Sequence, residues 1–227
     1  KRQSASSRRM AFRTGGKEQS MNFTNNKPLL ILLFLIAIAA GFGLAVLVQT
    51  PRTPVQREAI ALQDFKNGDF TAAFKIFRKL AKQDNTKAAY YLGQMYQFGD
   101  GTAINGSKAI EWLTVAAKAG NAQAARQLGQ LYLNGTVSVQ DFAQARHWFE
   151  KAAHAGDSRA MNALGEMNAQ GLGGPADPVA AYGYYAAAAT GSNAYSVTQR
   201  DKIAKKLSAQ QQAKGELMAS RLLGQHD

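Results

Sequence analysis

Cysteine is absent from this 227-residue chain, which removes disulfide frameworks, thiolate nucleophiles and cysteine metal sites at once. Histidine occurs only three times, so groups that titrate near neutral pH or bind metals are scarce. Acids are few as well, 15 against 27 Lys and Arg, for a formal net charge of +12. That excess does not imply nucleic acid, because no basic face with stacking or base-reading residues is concentrated anywhere. It is lopsided instead. Residues 1–27 hold seven Lys/Arg and a single acid, Glu18, while the remaining charges are spread over 51–227. Hydrophobic residues make up 46%, and much of that is alanine, which suits closely packed helices.

Charge is missing altogether from the 20-residue run Leu29–Val48. At about 1.5 Å per residue such a helix matches the roughly 30 Å hydrocarbon core of a bilayer, and it keeps no polar face for water. Lys1, Arg2, Arg8, Arg9, Arg13, Lys17 and Lys27 precede it, and only Arg52 and Arg57 follow closely. The positive-inside rule therefore predicts a cytoplasmic N-terminus and places the rest across a bacterial inner membrane, in the periplasm. Ala37-Ile38-Ala39 has the form of a signal-peptidase site, but the apolar run outlasts a typical signal core, so a retained anchor is expected. Gly41-Phe42-Gly43 is a lone small-x-small step, too little to argue helix pairing. Pro51 and Pro54, with Thr50 and Thr53, read as a short stiff exit.

Beyond that exit a 36-residue register runs for three cycles without insertion. Leu92-Gly93, Leu128-Gly129 and Leu164-Gly165 share it, as do Gly99, Gly135 and Gly171, and Trp112, Trp148 and Tyr184. A period of this length signals a solenoid, whose units cover only one another. Each cycle reads as two helices. Ala88, Leu92, Met95 and Tyr96 form one apolar stripe at helical spacing, and Ala109, Trp112 and Ala116 form the next. Gly99-Asp100-Gly101 breaks the first helix; Asn105, Asp141 and Asp177 are placed to cap second helices, and Asn121 and Asp157 to cap the following first ones.

These residues closely resemble the Sel-one-like repeat family, short relatives of the tetratricopeptide repeat. The pattern is Leu-Gly, a Tyr three residues on, a Gly-x-Gly turn, an Asp, an Ala, a Trp, then Ala-Ala and Gly-Asn/Asp. Unit 88–123 (AAYYLGQMYQFGDG to AIEWLTVAAKAGN) and unit 124–159 (AARQLGQLYLNG to ARHWFEKAAHAGD) match strongly. Unit 160–193 keeps ALG, Asp177 and AAAA but has Asn168 where Tyr96 and Tyr132 stand, and it loses one residue before Gly191. Residues 58–87 look like a worn opening unit, with Asp69, Ala73 and Ile76 in register. Residues 194–227 resemble a terminal cap, with Ile203-Ala204 and Leu207 as its apolar face and Ser208 capping a last helix. The resemblance implies an all-α, right-handed α/α solenoid of about four hairpins at 58–193, with a C-terminal cap and protein–protein scaffolding rather than chemistry. A basic tail (1–27), one transmembrane helix (28–49) and a linker (50–57) precede it.

No catalytic constellation appears, and no cofactor or metal is implied. His147 and His154 stand two helical turns apart, about 10 Å, too far for one metal ion, and read as surface neighbours of Trp148. His226 belongs to a terminal tail. Gly171-Leu172-Gly173-Gly174 lacks the preceding strand of a phosphate loop and falls in the turn between paired helices. Ser, His and Asp are too few and too ordinarily placed for a triad. What the repeat leaves undictated is a row flanking each Leu-Gly leucine: Tyr91 and Gln94, Gln127 and Gln130, Ala163 and Glu166. First helices line the concave side of such solenoids, so the candidate partner-binding residues are Tyr91, Gln94, Gln127, Gln130 and Glu166, with Tyr91 the aromatic anchor. The bland alternative is a set of merely solvated positions. The expected function is a membrane-anchored scaffold, an accessory or assembly subunit of an envelope complex with protein partners. The alternative is a peptidoglycan- or polysaccharide-binding factor in wall remodelling, which calls for exposed aromatics beside carboxylates.

Overall fold

The computed structural model describes residues 53–136, 139–190 and 193–224. The apolar run Leu29–Val48, with its basic flank, and His226 lie outside the described residues. Among those described there is helix and no strand: α1 (Pro54–Asn67), α2 (Phe70–Ala81), α3 (Thr86–Phe98), α4 (Gly106–Lys118), α5 (Ala122–Asn134), α6 (Phe142–His154), α7 (Ser158–Gln170), α8 (Pro178–Ala189), α9 (Ala194–Ala204) and α10 (Ala209–Leu223). No helix among them is long and apolar enough to cross a membrane.

Capping explains where the helices begin. Asn85, Asn121, Asp157 and Asn193 open the first helix of successive units, and Asp69, Asn105, Asp141 and Asp177 open the second. Each side chain accepts a hydrogen bond from a backbone N–H two or three residues on, satisfying one of the four donors a helix start leaves free. At the N-terminal side the expected linker 50–57 is too long. Thr53 and Gln56 form a reciprocal capping box and Pro54 fills the first helical turn, so α1 starts at Pro54.

Helices pair as α1/α2, α3/α4, α5/α6 and α7/α8, and each hairpin packs its second helix on the first helix of the next. Ala88, Leu92, Met95 and Tyr96 are all buried, as their spacing predicted. The hairpins close through the glycine of Leu-Gly. A Cβ on Gly93 would stand 2.7 Å from Leu113 Cγ, on Gly129 2.6 Å from Phe149 Cδ1, and on Gly165 2.8 Å from Tyr185 Cε1. The large residue these niches receive is therefore the one after Trp112, Trp148 and Tyr184. Turns add a second close approach. Gly173, at φ +76°, would bring a Cβ to 2.9 Å from the carbonyl oxygen of Phe142 in the preceding unit, so the turn rests directly on backbone.

The C-terminal end is sealed differently from the expectation. Ser208 does cap α10, with Gln211 completing the box. But Ile203, Ala204 and Leu207 are only partly buried, and α9 buries only Ser196 fully. The sealing face is Gly215, Ala219 and Leu222 of α10, which packs on α8 rather than on its neighbour α9. Gly183 and Gly215 mark the crossing: a Cβ on the first would meet the carbonyl oxygen of Gly215 at 2.9 Å, and on the second Tyr182 Cδ1 at 2.5 Å. Covered on both sides, α8 is buried from Ala181 through Ala188.

Candidate functional site

The row along the first helices is held by hydrogen bonds, two within a helix and two from one unit to the next. Gln94 Nε2 donates to the Tyr90 hydroxyl at 2.9 Å, Gln127 Nε2 donates to Gln97 Oε1 of the preceding unit, and Gln130 Nε2 donates to Asn134 Oδ1 at 2.9 Å. Glu166 accepts from the hydroxyl of Tyr195, on α9. Gln130 is exposed, while Gln94, Gln127, Ala163 and Glu166 are half-buried. The row is therefore a line of separately bonded amides ending in one carboxylate, tied across units at Gln127 and Glu166.

Tyr91 is not the free anchor its position suggested. Its ring stacks on Phe77 at 5.0 Å between centroids with planes 8° apart, and meets Phe65 and Tyr90 edge-on at 5.3 Å. The cause lies in the opening unit. Phe77 occupies the register of Leu113, Phe149 and Tyr185, but counted back from the glycine that closes each first helix, α1 has Leu62 where the others have glycine. Phe77 is met by Tyr91 of the next unit instead, and the pair joins the opening hairpin to its neighbour.

Other linking residues had no individual signal in the sequence. Arg126 Nε pairs with the capping carboxylate of Asp157 at 3.0 Å, and the Ser196 hydroxyl donates to Asn162 Oδ1 at 2.7 Å. Tyr90, Arg126 and Asn162 are one 36-residue step apart, so the register marks a position facing the next unit while chemistry varies there. Asn168, the departure from the tyrosine pattern, is buried and satisfied. Its Nδ2 donates to Leu164 O at 2.7 Å, and its Oδ1 accepts from Arg146 Nη1 at 3.1 Å while Arg146 Nη2 reaches Leu172 O at 3.0 Å. Arginine has entered where a tyrosine ring would lie.

The most displaced pKa values belong to tyrosines, and all move upward. Burial first, then hydrogen bonding to Glu216, pushes Tyr182 up to about 12; burial raises Tyr185 further, and the bond to Glu166 raises Tyr195. These phenols stay protonated donors at neutral pH. Trp148 is buried, with the exposed ring of His147 edge-on at 5.1 Å and Lys151 Nζ 5.3 Å over its face. His154 is exposed too, its Nδ1 2.7 Å from Glu150 O. Among the described residues no cluster of three His, Asp or Glu is arranged to hold a metal.

Stacked helical hairpins bearing a polar strip define an α/α repeat fold. The Sel1 repeat pattern matches residues 65–85, 86–121, 122–157 and 158–193, so the chain belongs to the Sel1 repeat family. Its repeats generally mediate protein–protein interaction and are generally non-enzymatic. Among solved structures the chain is similar to a Sel1 repeat protein from Oxalobacter formigenes, with 27% identity and a TM-score of 0.62 over 74% of this chain and 73% of that one. It is also similar to a protective antigen of uropathogenic Escherichia coli that displays an SLR fold, with 27% identity and a TM-score of 0.53 over 76% of this chain. The chain spans 46% of that antigen's length. No curated protein sequence matches the chain.

Proposed function

We propose that this protein is a membrane-anchored scaffold whose first-helix strip docks a protein partner, as an accessory or assembly subunit of an envelope complex. The observation that carries it is the strip itself: Gln94, Gln127, Gln130 and Glu166, aligned across three units on a fold that mediates protein contacts. Amide side chains supply both donors and acceptors, which suits recognition of a loop or an extended peptide backbone. The uncharged run Leu29–Val48 and the basic residues before it support anchoring in a bacterial inner membrane with the repeats in the periplasm.

The test is affinity capture of the full chain in mild detergent, followed by mass spectrometry, beside a variant carrying Gln94→Ala, Gln127→Ala and Gln130→Ala. A stoichiometric partner retained by the parent and lost by the variant is the expected result. Retention by both would remove the strip from the contact. Topology is tested separately by a reporter active only in the periplasm, fused after Asp227; silence there, with a cytoplasmic reporter working, would invert the orientation. A second reading, saccharide binding in wall remodelling, is favoured by one place: Tyr195, 45% exposed, donating to Glu166 with Tyr185 beside it. It requires retention of the chain on purified peptidoglycan and loss of that retention in Tyr195→Ala.

A further inference from the structure

A cleft of about 450 Å³ opens where α10 crosses α8, on the side of the second helices and apart from the amide strip. Val179, Tyr184, Leu217 and Met218 supply its apolar wall, and Lys214 and Arg221 stand on the same lining. Leu217 is 54% exposed, although the helix carrying it is otherwise seated through Gly215, Ala219 and Leu222. An apolar residue that faces out from a docked helix, into a cleft, is available to a ligand.

Charge decides which ligand. Neither Lys214 nor Arg221 has a carboxylate partner among the described residues. The one acid in the lining, Asp177, spends its Oδ1 on the N–H groups of Val179 and Ala180, at 3.0 and 2.9 Å, as the cap of α8. Glu216, the only acid on α10, is bound by the Tyr182 hydroxyl. Two turns of α10 thus present Lys214, Leu217, Met218 and Arg221 together, apolar surface between two unpaired cations.

We propose that this cleft is a second docking site, for a short acidic peptide segment of a partner protein that places an apolar side chain between Tyr184 and Leu217 and carboxylates against Lys214 and Arg221. The inference rests on the scaffold reading but uses a different surface, which lets the two fail separately. A concave, walled site favours a peptide over a flat lipid surface.

The experiment is a phage-displayed peptide selection on the full chain in detergent micelles, followed by fluorescence anisotropy with the winning synthetic peptide and its Glu/Asp→Gln/Asn counterpart. Enrichment of acidic sequences with a spaced Leu or Phe is expected, with about tenfold weaker binding by the Lys214→Glu, Arg221→Glu variant and by the neutralised peptide. Leu217→Ser should weaken binding comparably. All three positions are exposed, and unchanged circular dichroism and melting serve as the folding control. Selection of neutral or basic sequences, or binding indifferent to these substitutions, overturns the proposal, as does capture of phosphatidylserine vesicles through the same residues without peptide binding. The strip variant Gln94→Ala, Gln127→Ala, Gln130→Ala should bind the acidic peptide like the parent. Loss there would assign the peptide to the strip instead.

Discussion

At the scale of single residues, the glycine of each Leu-Gly pair matters as much as the leucine, because it makes room for a side chain twenty positions later. Gly129→Ala should destabilise by about 1–3 kcal/mol, since the new methyl group must displace the Phe149 ring from a packed site. A double-mutant cycle with Phe149→Leu, followed by urea unfolding, should show coupling rather than additive losses; additivity would mean the two groups do not meet. Trp148→Ala should cost about 3–5 kcal/mol, because its ring is buried in the central unit. A variant melting like the parent would contradict that placement. Tyr91→Ala is expected to lower the melting temperature, not only partner affinity, since its ring stacks on Phe77 and meets Phe65 edge-on. The spacing around Leu92 could show that Tyr91 flanks the core. It could not show the stack, which joins Phe77 and Tyr91 across two units.

At the scale of helices, the signals that could be read along the chain were local ones: caps at fixed steps, apolar stripes and glycine stops. Long-range pairings were hidden. In α8 the sequence AAYGYYAAAA does carry a sign of one, for Gly183, Ala186 and Ala187 stand where α6 has His147, Glu150 and Lys151. A helix without a polar face is covered on every side, and α10 provides the cover. Ile203 and Leu207 drew attention as the apolar face only because the real one relies on Gly215 and Ala219, which look unremarkable in sequence. Helix α1 is tied down by charge as well. Asn85 donates to Glu58 at 2.8 Å and Lys87 lies 3.1 Å away; the Asn85 hydrogen bond acts most strongly, burial opposes it next, and the lysine adds to the lowering, so the carboxyl rests below its ordinary value. Because the folded state lowers the pKa, the stabilisation is present above the ordinary value near 4.5 and fades as pH falls through the folded value. Urea midpoints for the parent should therefore exceed those of Glu58→Gln at neutral pH and converge with them in acid. A constant gap across pH would remove Glu58 from the acid response.

At the scale of the whole molecule, hairpins related by one repeated step share their stability with neighbours, so damage at one end should propagate. Gly215→Ala should loosen the α10 crossing and cost about 1–3 kcal/mol, visible first as faster hydrogen exchange in α8. Truncation after Leu207 goes further, because it uncovers Tyr182 and Gly183 together. A single rotation and translation, applied again and again, has no natural last member. If a second molecule can offer its opening hairpin to a bare α8, the operation that stacks units within one chain continues between chains, and the product is an open head-to-tail filament rather than a closed ring. Sedimentation velocity on the truncated chain should then show mass growing with concentration, while the parent stays at one size. On this view α10 acts as a full stop on a polymer that the repeat would otherwise write without end.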